Sequence, residues 1–363
     1  MGKKNSSFFA LLIIFFFIIP CACRDSGEAV SKENVKPSLD GESTANPKTC
    51  QIVFHSGRDG DYDMDLFVMN ADGSNVVRLT SEKGYDWGQT WSPDGSRIAF
   101  YSDRDGDSDI YTIQPDGSNL LQLTQNENEE HSISWSPDSA HIAFASNIDG
   151  DSEIYVMDAN GDNIQQLTNH TGRDDWPVWS PNGALIAFTS DRTGNTENYI
   201  MEPNGSNEKR ITFFGGDTKS LFPVWFPDSS RLIFMANPHG KSVIFATDIE
   251  GSFIVQLTQN DFNNGGHALS SDGTKIAFDS FRDGVTNIFV INADGSNEKQ
   301  LTFTEHSSSF PVWSPGGSRI IYESDVSGDF SDLFIMDADG SNGQQLTFTE
   351  FGEYEPVWSP LCE

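Results

Sequence analysis

The stretch Trp91-Ser92-Pro93-Asp94-Gly95-Ser96-Arg97-Ile98-Ala99-Phe100 leads into Asp103-Arg104-Asp105-Gly106, then Ile110-Tyr111, then Asp116-Gly117-Ser118-Asn119, and ends at Leu123-Thr124. It is one copy of a repeat. The opening position recurs at Trp91, Trp135, Trp179, Trp225, Leu269, Trp313 and Trp358. The closing pair recurs at Leu79-Thr80, Leu123-Thr124, Leu167-Thr168, Ile211-Thr212, Leu257-Thr258, Leu301-Thr302 and Leu346-Thr347. Steps of 44 to 46 residues are the length of one supersecondary unit that buries its faces against neighbours.

Each unit reads as four short strands. Strand A is the Pro177 to Ser180 type, strand B the Ile98 to Ser102 type, strand C the Ile154 to Met157 type and strand D the Gln165 to Thr168 type. The strands are β-branched and aromatic with no helical period, and the turns between them carry Asp, Asn and Gly. A lone four-stranded sheet of this composition cannot cover both faces, whereas sheets set side by side around an axis can.

The chain ends close the ring. The first unit starts at strand B with Ile52-Val53-Phe54, and the chain finishes on Glu355-Pro356-Val357-Trp358-Ser359-Pro360, a strand A with no strands after it. One blade is therefore expected to combine both ends, giving an all-β, seven-bladed β-propeller over residues 49–363. Aligned on the second unit, Cys362 falls at Gly95 and Cys50 at Ser96, so both lie in one A–B turn. A Cys50–Cys362 disulfide is expected there, which calls for an oxidising compartment.

Composition narrows the partners. With 54 acidic and 22 basic residues, the formal charge is -32. Nucleic acid needs a basic footprint and is excluded. A cationic or polar partner, or a metal ion, is compatible.

The N-terminus points to export. Lys3 and Lys4 precede an apolar run from Phe8 to Pro20, too short to span a bilayer comfortably. Residues 1–23 read as a signal segment ending in a lipobox-like Cys, with Cys23 the expected acylated residue and Cys21 the alternative. A plain cleaved signal peptide is the other reading. Residues 24–48 lack aromatics and are rich in Ser, Glu, Lys, Asn and Pro, the composition of a disordered tether.

The run Trp-Ser-Pro-Asp-Gly-x-x-Ile-Ala-Phe, with Ser-x-Arg-Asp-Gly and Ile-Tyr after it, resembles the WD40-like repeat of TolB-type propellers over residues 50 to 363. The resemblance implies a β-propeller of the bacterial cell envelope or periplasm that binds a protein, as TolB binds the peptidoglycan-associated lipoprotein. The chain departs from TolB in having seven repeats rather than six and in lacking a TolB-like α/β domain ahead of them.

Specificity is expected on the face formed by the D–A and B–C connections, because its loops vary while the A–B and C–D turns are monotonous. Its candidate partner-binding residues are Tyr85, Asp86, Trp87, Glu130, His131, Asp174, Asp175, Trp176, Phe222 and Tyr354. The acid-dense B–C turns offer Asp59, Asp61 and Asp63, and Asp103, Asp105 and Asp107, as weak candidate Ca²⁺ ligands. No catalytic residue and no cofactor is expected. No Gly-x-Ser-x-Gly elbow occurs. The alternative is a metal-dependent carbohydrate lyase using His131, His170, His267 and His306 at the channel mouth.

Overall fold

The computed structural model describes residues 50–58, 63–259, 261–325, 330–360 and 362. The export segment, the tether, Asp59 and Asp61 lie outside the described residues. The regular structure is all strand, arranged as seven four-stranded antiparallel sheets. Blade 2 is typical: strand A Asp86–Trp91, B Ile98–Ser102, C Asp109–Ile113 and D Leu121–Gln122. Blade 1 places the last strand, Glu353–Trp358, beside Gln51–Ser56, Asp65–Asn70 and Val77–Arg78. Ile52 pairs with Trp358 and Ser56 with Glu353, so the ring closes as the two chain ends require. Cys50 and Cys362 are joined, with their Cα atoms 4.4 Å apart.

Strands A of neighbouring blades pack against one another, while each strand D packs on its own strand C. Strand A is therefore innermost. The core is shared between blades. Val53, Leu66 and Val68 of blade 1 pack with Trp91, Ile98, Phe100 and Tyr111 of blade 2. Within every blade an aromatic of strand B stacks on one of strand C, from Phe54–Phe67 to Tyr322–Phe334, with ring centroids 5.6–5.8 Å apart. The opening Trp ties blade to blade. The indole N–H of Trp91 donates to the Val357 carbonyl, that of Trp225 to Val178, that of Trp313 to Ala268 and that of Trp358 to Val312.

The closing Thr has an equally regular task. In all seven blades its hydroxyl accepts a backbone N–H of strand C at 2.8–2.9 Å, from the strand's second residue in six blades, as in Leu66 to Thr80 and Ile154 to Thr168, and from Ile288, the fourth residue of Val285–Asn292, in blade 6. This joins the end of the two-residue strand D to strand C where the backbone ladder has run out.

One boundary differs from the sequence reading. Strand A starts earlier, at Asp86, Glu130, Asp174, Ser220 and Glu353, so Asp86, Trp87, Glu130, His131, Asp174, Asp175, Trp176, Phe222 and Tyr354 lie in inner strands rather than in D–A loops. The alternation of apolar residues is broken there by a bulge. Register shifts between strands A and B in every blade, and this hid the first half of each strand A.

Two substitutions test this construction. Cys362→Ser should lower the unfolding free energy measured by chemical denaturation under oxidising conditions by up to about 5–6 kcal/mol in the chain-entropy limit. It should have no effect under reducing conditions. Thr212→Val keeps the side-chain shape but strands the Asn198 N–H. Chemical denaturation should show a loss of about 1–3 kcal/mol.

Candidate binding site at the inner ring

The bulge in strand A turns one residue per blade into an unusual conformation. Gly88, Ser132, Trp176, Phe222, Phe310 and Glu355 all have φ between 50° and 64°. Left-handed backbone is costly for bulky side chains and persists where the surroundings impose it. The bulge residues are neighbours around the axis. Trp176 and Phe222 meet edge to face with centroids 4.9 Å apart. The Gly88 N–H donates to Glu355 Oε2. A Cβ on Gly266, in the blade 6 bulge, would lie 3.0 Å from the Phe310 ring. Together they make an inner ring of Glu355, Gly88, Ser132, Trp176, Phe222, Gly266 and Phe310 near the D–A and B–C face.

Strand B of the preceding blade holds several of these bulges. The Tyr101 hydroxyl receives the Ile133 N–H, Asp279 Oδ2 accepts the Phe310 N–H at 3.1 Å, and Glu323 Oε1 accepts the Glu355 N–H at 2.8 Å. Glycine is required where the same side chains pass under strand A of their own blade: a Cβ on Gly265 would sit 2.1 Å from Asp279 Oδ1, and one on Gly88 would strike the Tyr101 ring. Burial pushes Asp279 up to about 7, and burial together with Glu355 and Asp279 pushes Glu323 up to about 8. The His267 Nε2–H donates to the Phe222 carbonyl at 3.0 Å, and burial lowers the imidazole to about 4.

The sequence candidates fall into two groups. Asp86, Glu130 and Asp174 are enclosed between blades and already partnered: Asp86 by Arg104, Glu130 by Asn126 and Ser146, Asp174 by Arg192. They brace seams. Asp175 is likewise held by His131 at 2.7 Å, Ser152 at 2.6 Å and Arg173 at 3.1 Å. Trp176 and Phe222 belong to the inner ring. Trp87 lies against Tyr101, Tyr354 against His55, and Tyr85 is exposed at the rim.

Sequence reasoning passed over most of the exposed aromatics. Tyr85, Phe213, Phe281, Phe303, Phe310, Phe330, Phe348 and Phe351 are exposed on this one face, Phe303 at 78% and Phe348 at 75%. The signal was present: Phe follows the closing Thr at 213, 303 and 348, where the other units have Ser81, Gln125, Asn169 and Gln259.

The four histidines do not converge. His131 is taken by Asp175, His170 by Glu208 and His267 by Phe222, and His306 sits in an exposed loop. Among the candidate Ca²⁺ ligands, Asp105 and Asp107 come together with Asp109, one carboxylate oxygen of each lying within 4.8 Å of the others. These three could hold a divalent cation. Asp103 instead accepts the Tyr85 N–H, and Asp63 is half-buried apart from that group.

The chain matches the TolB beta propeller domain over residues 33–134, 127–220 and 215–362. It belongs to the TolB-type β-propeller family. A TolB homolog of Chlorobaculum tepidum is 33% identical over 102 residues, 28% of this chain and 23% of that protein, so the match spans about a quarter of the relative. The crystal structure of TolB from Acinetobacter baumannii superposes with a TM-score of 0.56 at 23% identity, covering 82% of this chain and 79% of that one. An oligogalacturonate lyase from Vibrio parahaemolyticus gives 0.63 at 14% identity, covering 78% and 85%. The two structural likenesses speak to the fold of this TolB-family chain.

The seams make its stability depend on pH. Glu153 and Asp174 meet across one seam at Thr168, whose hydroxyl donates to Glu153. Arg192 pairs with Asp174 Oδ2, yet the fully buried Oδ1 has no donor. Burial, reinforced by Asp174, pushes Glu153 up to about 7, and burial raises Asp174 as well. The fold thus keeps protons that the unfolded chain gives up near pH 4. This contribution is full below that pH and is lost as pH rises through 7. Urea midpoints should fall between pH 5 and pH 8, and Glu153→Gln should flatten that fall.

Proposed function

We propose that the propeller is a non-catalytic binding module of the bacterial cell envelope, tethered to a membrane through an acylated Cys23, or Cys21, and taking a protein or peptide partner on its D–A and B–C face. The observation that carries this reading is the concentration of exposed aromatics and of the inner ring on one face. The opposite face carries repeated Pro-Asp-Gly and Asp-Gly-Ser-Asn turns with scattered exposed apolar residues such as Leu120 and Ile164 and, among its described residues, one exposed aromatic, Phe253. Aromatic rings offer large, stiff contact surface at low entropic cost, and a contiguous set of them on a soluble domain marks an interaction site.

TolB-family membership supports an envelope location and a protein partner. The export segment and the disulfide agree with an oxidising compartment. The dispersal of the four histidines weighs against the lyase alternative.

Capture from envelope extract tests the reading. The double variant Trp176→Ala, Phe222→Ala should lose its partner, while Leu120→Ala on the other face should keep it, with both variants folded by circular dichroism. Stoichiometric transition metal in the purified protein, with turnover of a polysaccharide, would overturn it. Palmitate labelling should fall to background in Cys23→Ala, and unchanged labelling would move the anchor to Cys21.

A further inference from the structure

The inner ring is electrically and chemically lopsided. Trp176 and Phe222 of blades 4 and 5 make an aromatic arc that Phe310 of blade 7 continues. Blades 6, 7 and 1 bring three carboxyl groups to the same level: Asp279, Glu323 and Glu355. Asp279 and Glu323 are buried behind the bulges they hold, and Glu355 is half-buried in the ring itself. Among the described residues no lysine or arginine forms an ion pair with any of the three. His55 Nδ1 stands 3.8 Å from Glu355 Oε2 and also contacts Gln89 at 3.2 Å. The other titratable groups nearby are Tyr101 and Tyr354, which are neutral at physiological pH, and His267, which burial keeps neutral.

Resting on the proposed binding role, we infer that the inner ring receives a lysine or arginine side chain of a peptide segment, its cation facing Asp279, Glu323 and Glu355 and its apolar neighbour lying on Trp176, Phe222 and Phe310. Charge complementarity carries the choice of occupant. At the seams, enclosed carboxylates are met by arginines of the chain, as Asp86 by Arg104 and Glu353 by Arg58, or by neutral hydrogen-bond donors, as Glu130 by Asn126 and Ser146. Among the described residues this arc has no such arginine, and Glu355 stands half-buried in the ring, where a cation from outside can meet it. An organic cation fits better than a metal ion, because these three carboxyls do not converge within 4.8 Å as Asp105, Asp107 and Asp109 do. A guanidinium or ammonium on a long stem also suits a rim of aromatic faces.

A proton linkage follows. Burial holds Asp279 near 7 and Glu323 near 8, so at neutral pH the arc carries protons. A cation placed beside the arc favours the ionised form and expels protons. Binding therefore releases protons at pH 7 and tightens as pH rises from 6 to 8.

The test is to pan a random heptapeptide library on the full chain, counter-selecting on the Phe222→Ala, Phe310→Ala double variant. Enriched peptides should carry Lys or Arg next to an apolar residue. A selected peptide should bind at least tenfold more weakly to Glu323→Gln and to Glu355→Gln. Its calorimetric heat at pH 7 should change with the ionisation enthalpy of the buffer in the sense of proton release. Glu323→Gln keeps the oxygen that accepts the Glu355 N–H. If it nevertheless fails to fold, Glu355→Gln alone decides. Peptides that need the aromatics but lack a basic residue would overturn the cation inference and leave the binding role standing. Finding no peptide that distinguishes the aromatic variant would overturn both.

Discussion

Everything in this molecule depends on a sheet that is apolar on both faces. Strands B and C of each blade are buried along nearly their whole length, whichever way a side chain points. No blade can satisfy that alone, because each face needs a neighbour. With seven blades in a circle, the first and last must cover each other. The pairing of Glu353–Trp358 with Gln51–Ser56 is therefore the contact on which all other burial rests. The Cys50–Cys362 bond reinforces the one place where the ring is broken in the chain.

The same geometry crowds polar groups at the seams. Strand C begins with a carboxylate in five blades, at Asp65, Asp109, Glu153, Glu197 and Asp332, close to the first residue of the next strand A. Arginines relieve some of these meetings: Arg104 at Asp86, Arg192 at Asp174, Arg58 at Glu353 and Arg210 at Glu197. The seam at Glu130 has Ile148 where blades 2 and 4 have Arg104 and Arg192, and there burial together with Glu130 pushes Asp109 up to about 7. The repeats are thus alike in backbone and unequal in electrostatics. Buried charge costs free energy unless it is paired. The inequality therefore sets which seams weaken as pH rises.

Much of this was legible because the sequence repeats itself. The opening Trp marks six of the seven units and the closing Thr all seven, the two incomplete ends locate the closure, and two cysteines at adjacent turn positions announce their bond. The inner ring was not legible for a physical reason. A bulge adds one residue to strand A and interrupts the two-residue alternation by which strands are recognised, so Asp174-Asp175-Trp176 reads as loop. Left-handed backbone at Trp176, Phe222 and Phe310 cannot be read from residue type, since such conformations are expected at Gly or Asn. Asp279 and Glu323 escaped notice as well. They occupy the strand position held by His55, Tyr101, Ala145, Thr189 and Met235 in the other blades, and only the fold shows that this position faces the next bulge.

Internal repetition also separates scaffold from specificity without any second sequence. Positions that every copy keeps, such as the closing Thr and the B–C aromatic pair, hold the ring. The bulge position keeps its conformation in six copies while its residue changes among Glu, Gly, Ser, Trp and Phe. A position whose backbone is held by neighbours on both sides can change its side chain without moving the frame. The cost of left-handed backbone at an aromatic residue is met by contacts that also exist where the residue is glycine. That is the condition under which a repeated fold can place unlike groups around one axis, the aromatic rings of Trp176, Phe222 and Phe310 and the carboxyl of Glu355, each held at the same height by the same slip in register.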